Sequence, residues 1–322
     1  MLETEIPVML PMCHAADVSL PPEESPEPSG VFALGLDVGG SSLKLAVTDQ
    51  HGHIHLEKRL KPLPGHILDP NARQMVLEAL RAALAQVHAF APRAAHGGFT
   101  GLTTTDGLRD IRNLIAQELN LPVKRVRTSS DIELAYRAHF APGEGILVYA
   151  GTGSIAFHLR SDGSERAGGH GYLIDDAGSG FSIGQAALRA VMRELDEGKS
   201  SSILARFVFG HANASTWPEL SAFVYASGRS SVAGFAPLVG RAASQGDPTA
   251  NGILKSAGRE LLRLATVMRS KLGNLPVALA GGALEISPIL TQTVQSEIPD
   301  LIVTRGGFER AAAKLALQLL SD

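Results

Sequence analysis

The chain has 322 residues, enough for two domains with cores of their own. A formal net charge of −3 and a single cysteine, Cys13, give no reason to expect a nucleic-acid partner, a disulfide framework or a cysteine-held metal cluster. No apolar run approaches the ~20 residues of a membrane span, and the start lacks a basic signal-peptide region, so we expect a cytoplasmic protein with no membrane partner.

The first ordered unit is predicted to begin after a tail. Residues 1–30 end in SLPPEESPEPSG, which is too polar and proline-rich to form a core, so we expect disorder there. An apolar run over 31–36 predicts a buried strand that ends in DVGGSS at 37–42. A strand over 43–48, a DQHG turn and an antiparallel strand over 53–60 follow.

Strands then alternate with helices, which predicts a largely parallel sheet flanked by helices. Asp69-Pro70 is typical of a helix start, and its predicted buried stripe is Val76, Leu77, Leu80, Leu84 and Val87. A short strand near 98–103, a helix over 108–119, a strand over 123–128 and a helix over 132–140 complete the first half.

The second half begins with another buried-strand run, 146–150, which leads into Gly151-Thr152-Gly153-Ser154. Backbone amides and hydroxyls in such a turn can cradle phosphate oxygens. Predicted helices follow at 182–197, 201–209 and 218–226, with two more in 231–272 divided at 245–248. Strands are expected at 277–280 and 301–303, and a final helix at 308–320.

The two halves repeat one pattern. Each reads apolar strand, glycine–hydroxyl turn, strand, Asp-containing turn with glycine, strand. Such internal similarity indicates duplicated domains that face each other across a cleft. We predict an N-terminal domain of 31–143 plus 306–322 and a C-terminal domain of 144–305.

Three glycine-rich motifs carry a resemblance to a known family: DVGGSS at 37–42, AGTGS at 150–154 and ALAGGAL at 278–284. With the segment GGHGYLIDDAGS, they resemble the N-acetylglucosamine kinase branch of the BadF/BadG/BcrA/BcrD ATPase family. That family lies within the actin-like ATPase and sugar kinase superfamily. The resemblance covers 32–319. It implies an α/β, duplicated ribonuclease H-like fold with two domains around an ATP cleft.

The resemblance also implies roles for individual residues. Asp37 would hold Mg²⁺ through water, and Asp131 would be the catalytic base that receives the proton of a sugar hydroxyl. The residues implied to hold ATP are Gly39, Gly40, Ser41 and Ser42 on one side, Gly151, Thr152, Gly153 and Ser154 on the other, and Gly281 and Gly282 at adenosine. Those implied to bind the sugar are Thr103, Gly168, Gly169 and Asp176.

Several of these residues have structural alternatives. Asp131 is equally suited to cap the helix that follows it, and Asp176 to satisfy a turn. The three histidines of 51–55 occupy alternate positions of a strand, for which we favour an exposed hairpin face without a carboxylate partner over a metal site. Alanine-rich helices such as 186–191 suit internal packing or a homodimer face.

Because the sequence departs from the family pattern at several positions, more than one sugar could be the phosphoryl acceptor. Ser42 stands where the family commonly has Lys, and Asp175-Asp176 replaces its Gly-Asp. We expect an ATP-dependent kinase that phosphorylates O6 of an amino sugar such as N-acetylglucosamine. Glucosamine, N-acetylmuramic acid or another hexose are the alternative acceptors, and a non-catalytic nucleotide or sugar sensor is the alternative function. An iron–sulfur activator of the same family is disfavoured, since Cys13 is alone.

Overall fold

The structure is a computed structural model that describes residues 30–40, 42–63, 69, 71–102, 104–199 and 201–321, apart from the side chain of residue 227. Residues 1–29, which make up nearly all of the predicted tail, lie outside the described residues. So do Ser41 and Thr103 of the predicted site.

Two five-stranded sheets form the framework, and each has the same topology. The first has the order β3-β2-β1-β4-β5 and the second the order β10-β9-β6-β7-β8. In each, the central strand pairs antiparallel with a hairpin on one side and parallel with later strands on the other. The strands are β1 (Phe32–Val38), β2 (Leu43–Asp49), β3 (Ile54–Leu60), β4 (Ala94–Phe99), β5 (Val126–Ser130), β6 (Ile146–Ala150), β7 (Ser154–Leu159), β8 (Ser164–Gly168), β9 (Val277–Ala280) and β10 (Ile302–Thr304).

This shared topology confirms the internal repeat that the sequence predicts. The helices of the described residues pack either on the two sheets or, in one all-helical apolar cluster, on one another. They are α1 (Arg73–Ala85), α2 (Thr105–Glu118), α3 (Asp131–Arg137), α4 (Gly180–Asp196), α5 (Ile203–His211), α6 (Trp217–Gly234), α7 (Ala236–Ser244), α8 (Pro248–Leu272), α9 (Pro288–Gln295) and α10 (Glu309–Gln318). No helix of the described residues combines the length and the hydrophobicity that crossing a membrane requires.

The last helix of the chain packs on the first sheet. A Cβ added at Gly35 of β1 would lie 2.9 Å from Ala313 Cα and closer still to backbone atoms of α10, so only a glycine admits this approach. On its opposite face the same sheet buries Leu34 and Leu36 against the helices α1 and α2. The packing of α10 therefore carries the chain end back to the N-terminal half, while the domain boundaries themselves stay a prediction.

An apolar cluster joins the two halves. It combines Leu134 and Tyr136 of α3, Leu147 of β6, Ala278 of β9 and Phe308 at the start of α10. Because burial of a large apolar side chain contributes roughly 1.5–3 kcal/mol, this cluster stabilises the contact between the two halves.

Some predicted boundaries are wrong, and the reasons are local. Helix α1 begins at Arg73 and not at the predicted Asp69-Pro70, because the Asp69 carbonyl and carboxylate accept hydrogen bonds in a turn before the helix. The helix predicted for 218–226 continues as α6 to Gly234, with a non-helical break at Gly228. The strand predicted for 123–128 is β5, which starts only at Val126, after a 3₁₀ turn.

Candidate active site

The first glycine turn follows the buried strand β1. The Gly39 amide donates to the Ser42 carbonyl at 2.9 Å, which closes a tight turn after Val38. Gly40 is exposed and has nothing within 4 Å of its missing Cβ, so a ligand can approach its backbone closely. Ser42 is buried and Gly39 is partly exposed, so among the described residues of this turn the accessible backbone is that of the two glycines.

The second glycine turn is braced by the start of helix α4. The amides of Gly180 and Phe181 donate to the carbonyls of Gly151 and Thr152, at 2.9 and 3.3 Å. Thr152 is exposed, whereas the buried Ser154 hydroxyl donates to the Ala177 carbonyl at 2.7 Å. Of the two hydroxyls that the sequence predicts here, the structure presents that of Thr152 and uses that of Ser154 to hold the turn.

Asp37 lies at the end of β1, opposite Lys44 of β2. Its Oδ2 accepts a hydrogen bond from the Phe308 amide at 3.1 Å and lies 3.6 Å from Lys44 Nζ. This carboxylate therefore connects the first sheet to the start of α10. Its other oxygen accepts no hydrogen bond from the described residues, which suits contact with a hydrated cation.

Asp131 is the first residue of α3, and the prediction that it could cap that helix is wrong. The cap is Ser130, whose hydroxyl accepts the Glu133 amide at 3.2 Å. Asp131 Oδ2 instead accepts the Thr100 hydroxyl at 2.6 Å, and the Thr100 amide donates to Val38 at 2.8 Å. Thr100 therefore links the end of β1, next to Asp37, to Asp131 at the start of α3.

Electrostatics distinguish Asp131 as a base. Burial raises the pKa of its carboxyl, and the nearby charge of Asp37 raises it further, while the Thr100 hydrogen bond acts in the opposite direction. A carboxylate with increased proton affinity at the end of a strand is suited to accept a proton from an alcohol.

Tyr149 of β6 lies beside the same two aspartates, and the sequence analysis did not select it. Burial raises the pKa of its phenol, and the charges of Asp37 and Asp131 raise it further, so the hydroxyl remains a neutral donor. Its ring edge lies 3.1 Å from where a Cβ on Gly151 would stand. The available signal was a phenol in the otherwise apolar run of β6.

The predicted adenosine glycines have different environments. Gly281 adopts φ +110°, and a Cβ there would lie 2.7 Å from the Ala150 carbonyl carbon at the end of β6. Gly282 is exposed with open space around its Cβ position. Gly281 is therefore required by packing, and Gly282 is accessible to a ligand.

Three of the predicted sugar residues, Gly168, Gly169 and Asp176, lie near the second turn. Gly168 and Gly169 follow one another at φ +71° and +68°, a conformation that favours glycine. Asp176 is only 4% exposed; its Oδ1 accepts the Ser154 amide at 3.4 Å and its Oδ2 pairs with Arg229 at 3.2 Å. Asp176 thus connects three segments, and Arg229 is a second residue that the sequence analysis missed.

The donor set fits Mg²⁺ in one respect. The described residues contain no group of three or more His, Cys, Asp or Glu side chains that could hold a metal ion by themselves. Magnesium beside a nucleotide needs one or two carboxylates, water and phosphate oxygens, and Asp37 with neighbouring Asp131 meets that requirement.

The three histidines of 51–55 lie exposed at the β2–β3 hairpin, as predicted, but they have a carboxylate neighbour that the sequence analysis did not identify. Asp49 Oδ2 lies 3.2 Å from His53 Nδ1 and 2.9 Å from His55 Nε2. The hydrogen bond from His55 holds the pKa of the Asp49 carboxyl well below its usual range. The group sits at the hairpin between β2 and β3 and stabilises that turn.

The chain is similar in sequence to two curated sugar kinases. The chain is 34% identical over 135 residues to an N-acetylmuramic acid/N-acetylglucosamine kinase from Clostridium acetobutylicum, over 41% of this chain and 44% of that protein. It is 30% identical over 163 residues to an N-acetyl-D-glucosamine kinase from Dictyostelium discoideum, over 48% of this chain and 51% of that protein. The alignments therefore span about half the length of these curated relatives.

A solved structure covers far more of the chain. A candidate N-acetylglucosamine kinase from Chromobacterium violaceum matches with a TM-score of 0.66 and 26% identity, over 91% of this chain and all of that one. The duplicated α/β architecture is that of the actin-like ATPases and sugar kinases. The chain belongs to the BadF/BadG/BcrA/BcrD ATPase family, whose family model matches residues 34–305.

Proposed function

We propose that this protein is an ATP-dependent sugar kinase that transfers the γ-phosphoryl group to O6 of an amino sugar such as N-acetylglucosamine. The observation that carries the proposal is that Thr100 links Asp131 to the end of β1 next to Asp37, while Tyr149, which leads into the second glycine turn, lies beside both aspartates. The names of the relatives, which are kinases of N-acetylated amino sugars, support the same reaction.

The proposed nucleotide site uses backbone more than side chains. Residues 39–42 contact the triphosphate from one half and residues 151–154 from the other, while Gly281 and Gly282 lie along adenosine. Asp37 would hold Mg²⁺ through water, and a bound Mg²⁺ would supply positive charge that offsets the charge of the phosphates. Few side chains are needed, because phosphoryl transfer depends chiefly on positioning and electrostatic stabilisation.

The proposed sugar site lies next to the second turn. Thr103, Gly168, Gly169 and Asp176 bind the sugar hydroxyls, and Asp131 accepts the proton of the attacking hydroxyl. The raised pKa of Asp131 increases its proton affinity, and its hydrogen bonds from Thr100 and Ile132 fix its orientation.

Release of ADP across a panel of sugars with Mg²⁺ tests this function. The panel contains N-acetylglucosamine, glucosamine, N-acetylmuramic acid and glucose, which also separates the acceptors left open by the sequence. We expect turnover with at least one N-acetylated amino sugar. ATP binding without turnover on any sugar would contradict the kinase and favour the sensor.

The variant Asp131→Asn tests the assignment of the base. It should lower kcat by about 100-fold or more while ATP binding survives, since general-base catalysis typically contributes that much. Glu133→Gln is the matched control, because it removes another carboxylate of the same helix. The Glu133 carboxylate pairs with Arg137 at 2.8 Å. Equal turnover in the two variants would overturn the role of Asp131.

A cytoplasmic location and a homodimer remain predictions.

A further inference from the structure

Arg229 reaches the second glycine turn because helix α6 breaks immediately before it. Gly228 has φ +56° and ψ −135°, a combination open to glycine and strained for other residues. The Ser231 hydroxyl donates to the carbonyls of Val224 and Gly228, at 2.9 and 2.8 Å, and so satisfies backbone groups that the break would leave unpaired. The break is therefore a built feature that sets the direction of Arg229.

The guanidinium lies directly on the turn that is proposed to hold phosphate. A Cβ added at Gly153 would stand 2.8 Å from Asp176 Oδ2 and 3.0 Å from Arg229 Nη2, so both side chains lie against this turn. The same Nη2 donates to Asp176 Oδ2 at 3.2 Å, and the guanidinium carbon lies 5.1 Å from the ring centroid of Tyr172. Contacts with the second glycine turn and with two residues of the loop 171–179 thus fix the position of the cation.

Arg229 retains donors that Asp176 does not use. A guanidinium carries five N–H donors in a planar fork, which matches carboxylate and phosphate oxygens. One hydrogen bond to Asp176 is formed, the side chain is 39% exposed, and its buried Nε has no partner among the described residues. The cation can therefore hold Asp176 and still donate to an anion that enters the crevice.

Charge balance points the same way. Asp37, Asp131 and Asp176 place three carboxyl groups around the crevice, and ATP would bring further negative charge. Lys44 is the cation beside Asp37, at 3.6 Å, and Arg229 is the cation beside Asp176. Arg229, beside the second turn, would offset the negative charge of Asp176 and of a bound phosphate, whereas Lys44 offsets that of Asp37.

We propose that Arg229 is an anion-binding residue of the active site, which donates hydrogen bonds to an anionic oxygen of a bound substrate. This inference rests on the proposed function, because it concerns the substrates of the same site. Two sources can supply the anion. One source is the γ-phosphate of ATP, because Arg229 lies against Gly153 of the turn that is proposed to contact the triphosphate. The other is a carboxylate on the sugar, because Arg229 pairs with Asp176, which is proposed to bind the sugar.

Calorimetric binding measurements with Arg229→Gln test the proposal without requiring turnover. The probes are ADP and the non-hydrolysable analogue AMPPNP, each with Mg²⁺, and N-acetylglucosamine and N-acetylmuramic acid, which differ by a carboxylate. If the anion is the γ-phosphate, AMPPNP affinity falls about tenfold or more while ADP affinity holds. If it is the sugar carboxylate, N-acetylmuramic acid affinity falls by that factor while N-acetylglucosamine affinity holds.

Three further variants separate a binding role of Arg229 from a structural one. Arg263→Gln removes a surface arginine that pairs with Glu260 at 2.8 Å, and it should leave all four affinities unchanged. Arg229→Gln leaves Asp176 without its partner, so the double variant Asp176→Asn, Arg229→Gln is compared with Asp176→Asn alone. The double variant should still show the loss of selectivity for the anionic probe.

The proposal would be overturned by two results. One is an Arg229→Gln protein that keeps both ratios, AMPPNP to ADP and N-acetylmuramic acid to N-acetylglucosamine, at the wild-type values. The other is a double variant whose ratios equal those of Asp176→Asn, which would assign the effect to an unpaired Asp176 carboxylate. Absence of ADP release on every sugar contradicts the kinase instead, and leaves these binding ratios to decide on Arg229.

Discussion

Replacement of Gly281 by alanine should destabilise the protein because of where its new methyl group would lie. The Cβ would stand 2.7 Å from the Ala150 carbonyl carbon and 3.0 Å from the Ala150 nitrogen, and these backbone atoms cannot rotate away. The residue also has φ +110°, where alanine is strained. Backbone strain costs about 1–3 kcal/mol and overpacking a further 1–3 kcal/mol, so we expect a loss of about 2–6 kcal/mol.

The neighbouring glycine provides a matched control. A Cβ at Gly282 meets no atom within 4 Å, and the residue is exposed, so Gly282→Ala should change the free energy of unfolding by less than about 1 kcal/mol. If adenosine lies along this backbone, the added methyl group should nevertheless weaken ADP binding. Gly281→Ala should weaken ADP binding as well, because the displaced Ala150 leads directly into the second glycine turn.

Urea denaturation followed by circular dichroism gives the stabilities, and calorimetry gives the ADP affinities. The expected pattern is a Gly281→Ala protein that is unstable and binds ADP weakly, and a Gly282→Ala protein that is stable and binds ADP weakly. A Gly281→Ala protein as stable as the wild type would refute the packing of this turn against β6. A Gly282→Ala protein with unchanged ADP affinity would refute contact between adenosine and this residue.

Three further predictions concern charged groups. Because the pKa of Asp131 is raised, kcat/KM should fall as the pH drops, and the midpoint of this fall should lie above the pKa of an ordinary Asp. Saturating Mg²⁺ should move the midpoint to lower pH, because the cation offsets the charge of Asp37 that raises the pKa of Asp131. A midpoint that Mg²⁺ leaves unchanged would argue against the coupling to Asp37. Asp37→Asn should raise the Mg²⁺ requirement about tenfold or more, and an unchanged magnesium titration would contradict its role. Burial lowers the pKa of His96 to about 3, so the unfolded chain binds a proton that the folded protein does not, and stability should fall as pH drops below about 6.5. This linkage amounts to about 2 kcal/mol between pH 7.5 and pH 5 in urea titrations and should be absent in His96→Gln; equal pH dependence of the two proteins would disprove it.

Local patterns in the sequence predict much of the fold. The four-residue strand β9 is bounded by proline and by the Gly281-Gly282 pair, so its limits are predictable from residues within a few positions. The repeat of strand, glycine turn and hairpin likewise predicts the two sheets. Both features depend on short-range chemistry, which a sequence displays directly.

Long-range contacts explain what the sequence did not reveal. The need for glycine at position 35 follows only from the close approach of α10. Similarly, Asp37 accepts a hydrogen bond from the amide of Phe308, which is 271 positions away. Arg229 follows a glycine inside a helical pattern, and its contact with Asp176 exists only because the chain turns at Gly228. Such pairs have no signature in a single sequence, because each partner is compatible with many others.

A crystal structure with AMPPNP, Mg²⁺ and N-acetylglucosamine tests the central claim most directly. We predict a triphosphate that contacts backbone amides of both 39–42 and 151–154, with the Asp131 carboxylate within hydrogen-bond distance of the sugar O6. A triphosphate bound to only one of these turns, or a sugar held away from Asp131, would contradict the proposed kinase.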